Sequence, residues 1–273
     1  MDELKKISSK VIFNNGKKTE FYYIEHLQAK SHRNIVFIHG ANHAAWCWNA
    51  YFMNFFYEKG YNVYSVNLYN RGNSSRIEKA LLSEYVEQIN DFVEYLDKKI
   101  IIVGHSVGTS IVQKYISKYK ESVEKCILMC PVAPWGMKYD LITMFHKSPM
   151  KKILLALYNI KIIKKYPVEL FFEKKPSCIK NECFIPENFN ECFFVFLEKS
   201  EINKNIPILI LGSKNDQVIN YKSIYKMVTY YNSEFVIYNN IGHDMMLDFG
   251  WEIVAVDILK YISNFYDAGE IQK

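Results

Sequence analysis

No stretch of this chain reaches the roughly 18 uninterrupted apolar residues of a membrane span, because the longest apolar segments are broken by Lys or Asn. No spanning helix is therefore expected, although 49% of the residues are hydrophobic. The opening residues, Met1-Asp2-Glu3-Leu4-Lys5-Lys6, lack the apolar core of a secretion signal, so a soluble, cytoplasmic protein is expected. The six cysteines include no C-x-x-C pair and the seven histidines no H-E-x-x-H, which leaves no metal motif. Without an oxidising compartment the thiols are expected to be free. Neither a metal nor another cofactor is expected. Repeats and low-complexity tracts are lacking too, and 273 residues fit one large α/β domain with an insertion. One local excess stands out: between Lys138 and Lys175 nine lysines face Asp140, Glu169 and Glu173, a surplus of 9 − 3 = 6 charges that covers the whole net charge of +5. No aromatic-interleaved basic motif accompanies it, so nucleic acid is not an expected partner. A solvated basic face is expected ahead of peripheral contact with a membrane.

The most informative stretch is Lys98-Lys99-Ile100-Ile101-Ile102-Val103-Gly104-His105-Ser106-Val107-Gly108-Thr109. A β-branched run meets a tight turn, and Val107, Ile111, Val112, Tyr115, Ile116 and Tyr119 then recur at helical spacing. The pattern predicts strand, sharp turn, helix. A nucleophile at such a turn sits in a strained backbone, and side chains larger than hydrogen at Gly104 and Gly108 would collide with the neighbouring strand and helix. The turn would expose the Ser106 hydroxyl and aim the Val107 N–H, at a helix N-terminus, toward an oxyanion. His105 is expected to pack beneath the turn.

In chain order, residues 11–13 and 21–24 flank Asn14-Asn15-Gly16 and read as an antiparallel hairpin. Buried-type strands are expected at 34–38, 61–66, 100–103, 125–129, 206–211 and 234–238, and helices at 46–57, 83–96, 107–119, 221–231 and 251–265. This alternation predicts a mostly parallel sheet with helices on both faces. It is interrupted at about 135–203, which reads as a cap inserted into a core of residues 1–134 and 204–273. The insertion is expected to hold a helix at 150–165. It also carries Phe171, Phe172, Phe184, Phe189, Phe193, Phe194 and Phe196, which either bury the insertion's own core or line a pocket above Ser106.

In open α/β sheets, sites form outside the carboxyl ends of the strands, and three such ends carry what acyl transfer needs. Ser106 follows one, Asp216 follows Ile208-Leu209-Ile210-Leu211, and His243 follows the strand ending near Tyr238. A serine hydroxyl needs a base to take its proton, and the base needs a carboxylate to orient it. Asp140, ten residues beyond another strand end, is the alternative acid. The loop His39-Gly40-Ala41 would supply the Ala41 N–H as second oxyanion donor. His43 lies in the same loop and either packs there or contacts substrate, and Asn67 to Ser74 are expected to be structural.

With these four elements in this order, the chain resembles the α/β-hydrolase superfamily over nearly its whole length. The resemblance implies Ser106 as nucleophile, Asp216 as acid, His243 as base, and Ala41 and Val107 as oxyanion hole. Serine at the turn separates it from the branches with an aspartate nucleophile. His39-Gly40-Ala41-Asn42-His43-Ala44-Ala45-Trp46-Cys47-Trp48 is similar to the H-G-A-x-H-G-A-W-C-W segment of plant methylesterases and hydroxynitrile lyases, departing from it at Ala44. The lyases' threonine and lysine have no counterpart here, where Ala41 and Asp244-Met245-Met246 stand, which speaks against lyase chemistry. The expected activity is hydrolysis of carboxylic esters of apolar small molecules through an acyl-enzyme. Thioester, amide or carbon–carbon hydrolysis, acyl transfer, and slow-turnover ligand binding are the alternatives.

Overall fold

The computed structural model describes residues 6–26, 32–140, 149–174, 176, 179–180, 183–186, 197 and 205–263. Strands β1 (Ser8–Asn14) and β2 (Lys17–Ile24) pair antiparallel. Asn15 and Gly16 join them at φ 48° and 75°, the left-handed pair that a two-residue hairpin turn demands. The remaining strands are β3 (Asn34–Ile38), β4 (Asn62–Val66), β5 (Ile100–His105), β6 (Val123–Met129), β7 (Ile208–Ser213) and β8 (Glu234–Tyr238). The sheet order is β1-β2-β4-β3-β5-β6-β7-β8, and every pair from β4 to β8 is parallel. All residues of β3, β4, β5 and β7 are buried, which explains the continuous apolar runs 35–38, 100–103 and 208–211; β4 also buries Asn62 and Ser65.

The helices are α1 (Trp46–Asn49), α2 (Phe52–Glu58), α3 (Leu82–Leu96), α4 (Val107–Lys118), α5 (Pro149–Asn159), α6 (Tyr221–Tyr231) and α7 (Trp251–Ile262). Right-handed crossovers that step outward from β3 to β4 and back toward β8 place α1 and α2 on one face and α3, α4 and α6 on the other. This is an α/β-hydrolase architecture. The start of α3 is closed by Glu84, whose carboxylate accepts the Leu81 N–H at 3.0 Å.

Two expected helices come out shorter. The aromatic stretch 46–57 breaks at Tyr51, whose backbone leaves the helical region at φ −143° so that its ring can stack on Trp251 at 4.8 Å. The break also turns Phe52 and Phe56 onto Phe37. The helix expected through residue 165 ends at Asn159, where Lys161 turns left-handed at φ 63° and the Ile162 N–H returns to the Leu157 carbonyl at 2.8 Å. That reversal frees Tyr166 to stack on Phe184 at 3.9 Å, a contact that a continuous helix would not allow. Phe189, Phe193, Phe194 and Phe196 lie outside the described residues. Among the described residues Cys47, Cys126, Cys130 and Cys183 are unbridged, and no helix is long and apolar enough to cross a membrane.

A very tight backbone approach joins α4 to the end of β3. A methyl group at Gly108 would lie 2.5 Å from the His39 carbonyl oxygen and 2.7 Å from that of Ile38. Neither neighbour is a side chain that could swing away, so Gly108→Ala must separate strand from helix at a cost of about 1–3 kcal/mol. Differential scanning calorimetry is expected to show a fall in Tm of about 2–4 °C per kcal/mol for a chain of this size.

Candidate active site

Ser106 occupies φ 51°, ψ −123° at the junction of β5 and α4. A non-glycine residue persists there only when its surroundings enforce it. The enforcement is visible: its N–H donates to the Met129 carbonyl at 3.0 Å and its carbonyl accepts the Thr109 N–H at 2.9 Å. The Thr109 hydroxyl adds a second bond to the same carbonyl at 2.5 Å. Ser106 is 7% exposed. The β3 loop lies against this turn, since a methyl at Gly40 would come within 3.0 Å of Ser106 Cβ. Among the described residues no acceptor takes up the Ala41 or Val107 N–H, and Val107, first residue of α4, has no intrahelical acceptor.

Asp216 and His243 meet beyond β7 and β8. His243 Nδ1 lies 2.8 Å from Asp216 Oδ2, while Asp216 Oδ1 accepts the Val218 and Ile219 N–H groups at 2.7 and 2.9 Å. The short turn after β7 therefore fixes the carboxylate, and the carboxylate fixes the imidazole with its proton on Nδ1, leaving the Nε2 lone pair for other work. Burial disfavours the His243 imidazolium, yet the charge and hydrogen bond of Asp216, aided by Asp244, outweigh it and raise the His243 pKa above its ordinary value. The Cys130 thiol, donating to Asp216, is pushed well up, first by burial and then by that carboxylate. Asp140 goes elsewhere. Its Oδ1 accepts from the Asn220 N–H at 2.9 Å and the Ser223 hydroxyl at 2.8 Å, at the start of α6.

Around His243 stand residues that the sequence left undistinguished. Asp244 is fully buried with Oδ2 3.2 Å from His43 Nε2 and Oδ1 3.8 Å from His105 Nε2. His105 packs beneath the turn as expected and donates from Nε2 to the His243 carbonyl at 3.0 Å. Burial, then the neighbouring His243, brings its pKa down to about 3. His39, equally buried, is neutral because burial lowers its pKa well below normal. It ties the loops together through Gly40 O at 2.9 Å and the Leu68 N–H at 3.2 Å. The Asn67–Ser74 loop is structural, as expected, since Asn67 accepts the Ala45 N–H and donates to Glu20. Arg71 in that loop reaches further and donates to the His43 carbonyl at 2.7 Å.

The segment between β6 and β7 lies directly over these groups. Phe171 is 5.8 Å from the His243 ring, and Phe184 is 5.2 Å from His43 and 5.4 Å from Trp46. Its aromatics thus both pack on each other and wall the site, and the two readings of the sequence combine. Trp48 does not join them; it is buried in the core and stacks on Phe37 at 4.6 Å. Among the described residues two groups of potential ligand atoms lie close enough for a metal ion, His105–His243–Asp244 and Cys130–Asp216–His243. Both use His243, so an ion would compete with the Asp216–His243 pair for one imidazole.

A family model described as serine aminopeptidase, S33 matches residues 29–249. Methyl jasmonate esterase 1 of Vitis vinifera is 28% identical over 127 residues, 45% of this chain and 48% of that protein. Methylesterase 10 of Arabidopsis thaliana is 34% identical over 93 residues, 32% of this chain and 34% of that protein. The chain thus matches half or less of the length of these curated relatives. A solved structure of a putative lipase from Acinetobacter baumannii superposes with a TM-score of 0.73 at 18% identity, covering 94% of this chain and 91% of that one.

One carboxylate gathers several of the bonds that join the overlying segment to the His243 loop. Asp248 accepts the N–H groups of Gly242 at 2.7 Å, Glu173 at 2.8 Å, Lys174 at 3.2 Å and Phe249 at 2.6 Å. Asp248→Ala would orphan buried donors, each costing about 1–3 kcal/mol. Limited proteolysis is expected to cut the variant between β6 and β7 faster than the parent, and equal rates would show that the clamp lies elsewhere.

Proposed function

The chain belongs to the serine aminopeptidase S33 family of α/β-hydrolases, and from that membership and the site geometry we propose that it hydrolyses carboxylic esters of apolar small molecules through an acyl-enzyme. Ser106 is the nucleophile, His243 the base, Asp216 the acid, and the N–H groups of Ala41 and Val107 form the oxyanion hole. The observation that carries the reading is the 2.8 Å Asp216–His243 bond at the same sheet edge as the strained Ser106 turn. His243 Nε2 takes the Ser106 proton as Oγ attacks the ester carbonyl, and the oxyanion is met by the two N–H groups. The imidazolium then returns the proton to the departing alkoxide, and a water activated by the same nitrogen releases the acid and restores Ser106. The relatives named as methylesterases support a small alcohol as leaving group. The aromatic wall of Phe171, Phe184 and Trp46 supports an apolar acyl portion.

Ser106→Ala is expected to abolish both hydrolysis of p-nitrophenyl esters and labelling by a fluorophosphonate, with loss of a triad member costing on the order of 10⁴-fold or more in kcat. Full activity in that variant overturns the assignment. Thioesters and aminoacyl amides in the same panel separate ester hydrolysis from the related reactions.

Because the base must be neutral, kcat/KM is expected to rise with pH through the His243 ionisation, with its midpoint above the roughly 6.5 of a free imidazole, the direction that Asp216 imposes. Asp216→Asn lowers that midpoint and cuts kcat by about 10⁴-fold. Asp140→Asn leaves both nearly unchanged, since Asp140 bonds at the start of α6. The reverse pattern in steady-state kinetics would place the acid on Asp140.

A further inference from the structure

Among the described residues His43 faces two acceptors and no donor. Its Nδ1 lies 2.7 Å from the Ala41 carbonyl oxygen and its Nε2 lies 3.2 Å from Asp244 Oδ2. A neutral imidazole has one N–H and could satisfy one of these contacts. Both partners are shut away from water, His43 being 1% and Asp244 0% exposed, so an unmet contact could not be made good by solvent. Asp244 is held firmly: its N–H donates to the Phe171 carbonyl at 2.8 Å, and its own carbonyl accepts from Leu247 and Asp248. The His43 backbone is fixed in turn by Arg71.

We propose that His43 carries both ring protons as an imidazolium paired with the Asp244 carboxylate, and that this buried pair is a positioning device for the oxyanion hole. The inference rests on the proposed hydrolase reading for its function, though not for the existence of the pair. The Nδ1 proton holds the Ala41 carbonyl and with it the torsion of the residue whose N–H meets the oxyanion. The Nε2 proton neutralises a carboxylate that would otherwise stand unbalanced beside His243. Two unpaired buried carboxylates around one imidazole would favour its protonated, inactive form; the charge on His43 offsets most of Asp244's part and leaves Asp216 as the larger influence. The titratable groups packed against the pair are His39, Cys47, Arg71, His105, Tyr166 and His243. His39 and His105 are neutral, and the Arg71 guanidinium is held by the His43 and Asn70 carbonyls. Burial pushes the Asp244 carboxyl up, but His43 first, with His105 and His243 behind it, brings it below its usual range, in keeping with the proton residing on the imidazole.

The pair is tested without any assay of activity by NMR on the whole protein carrying ¹⁵N-labelled histidine, assigned through bonds. At pH 8, where a free imidazole of pKa about 6.5 is neutral, both His43 nitrogens are expected to bear protons. A single protonated nitrogen overturns the proposal. Its role is tested by Asp244→Asn and His43→Gln, with rates normalised to active sites titrated by a fluorophosphonate. Each is expected to lower kcat by about tenfold to a hundredfold, part of what loss of a whole oxyanion donor costs, with KM changed by less than about twofold. Asp244→Asn should also shift the acid limb of kcat/KM downward. Unchanged kcat per titrated site, or KM and kcat moving together, reduces the pair to a structural element and overturns the positioning role. Failure of the hydrolase reading looks different: the parent protein itself would neither label nor turn over ester.

Discussion

Everything at the carboxyl edge of the sheet depends on how closely α4 approaches the end of β3. The carbonyls of Ile38 and His39 sit where a methyl on Gly108 would be, so the first turn of the helix and the loop after β3 share one wall. Two consequences come from this contact. The chain entering α4 must turn through the strained Ser106 conformation, and the loop that starts at Gly40 must pass within van der Waals reach of Ser106 Cβ. The elbow and the oxyanion loop are therefore one rigid body. A modest backbone strain of about 1–3 kcal/mol is held in place by a sheet whose central strands are wholly buried.

The second constraint is electrostatic. The loops around His243 hold buried groups that burial alone would discharge, and the structure sorts them by their partners. His105 and His39 have carbonyl or N–H partners and stay neutral, whereas His243 has a carboxylate and is pushed toward its charged form. Neighbouring histidines thus come to differ in charge through hydrogen bonding, which is how one cluster can hold neutral and charge-prone imidazoles at the same pH.

Much of this was legible in the sequence. Strands buried on both faces announce themselves as continuous runs such as Ile100-Ile101-Ile102-Val103, and a turn that tolerates only hydrogen at two positions shows its glycines. Ser106, Asp216 and His243 follow strand ends, so topology alone brings them to one edge. What stayed hidden depended on tertiary contacts. Tyr51 leaves its helix for Trp251, and α5 stops at Asn159 so that Tyr166 can reach Phe184; propensity has no knowledge of either partner. Asp244 was visible as a residue that differs from the lyase lysine, yet its pairing with His43, some two hundred positions earlier, leaves no periodic trace. The signal that could have found it is an acidic residue set among Met245, Met246 and Leu247, where burial is certain and a charge needs a partner.

The segment over the site follows a different logic from the core beneath it. The core is fixed by a ladder of backbone hydrogen bonds, while the overlying segment is tied down at a few polar points. Asn42 donates to Asn159 and to the Ile185 carbonyl, Arg71 reaches the same carbonyl, and Asp248 gathers four N–H groups. Between these points lie aromatic rings, which contribute burial without directional bonds. Asn42 follows Ala41, and Asp248 follows His243 by five positions, so both anchors belong to the loops that hold the proposed oxyanion donor and the proposed base. Any displacement of the aromatic wall that breaks these bonds is therefore transmitted to Ala41 or to His243. For the proposed reaction, this wiring would make recognition of an apolar acyl portion and placement of the reacting groups mechanically the same event.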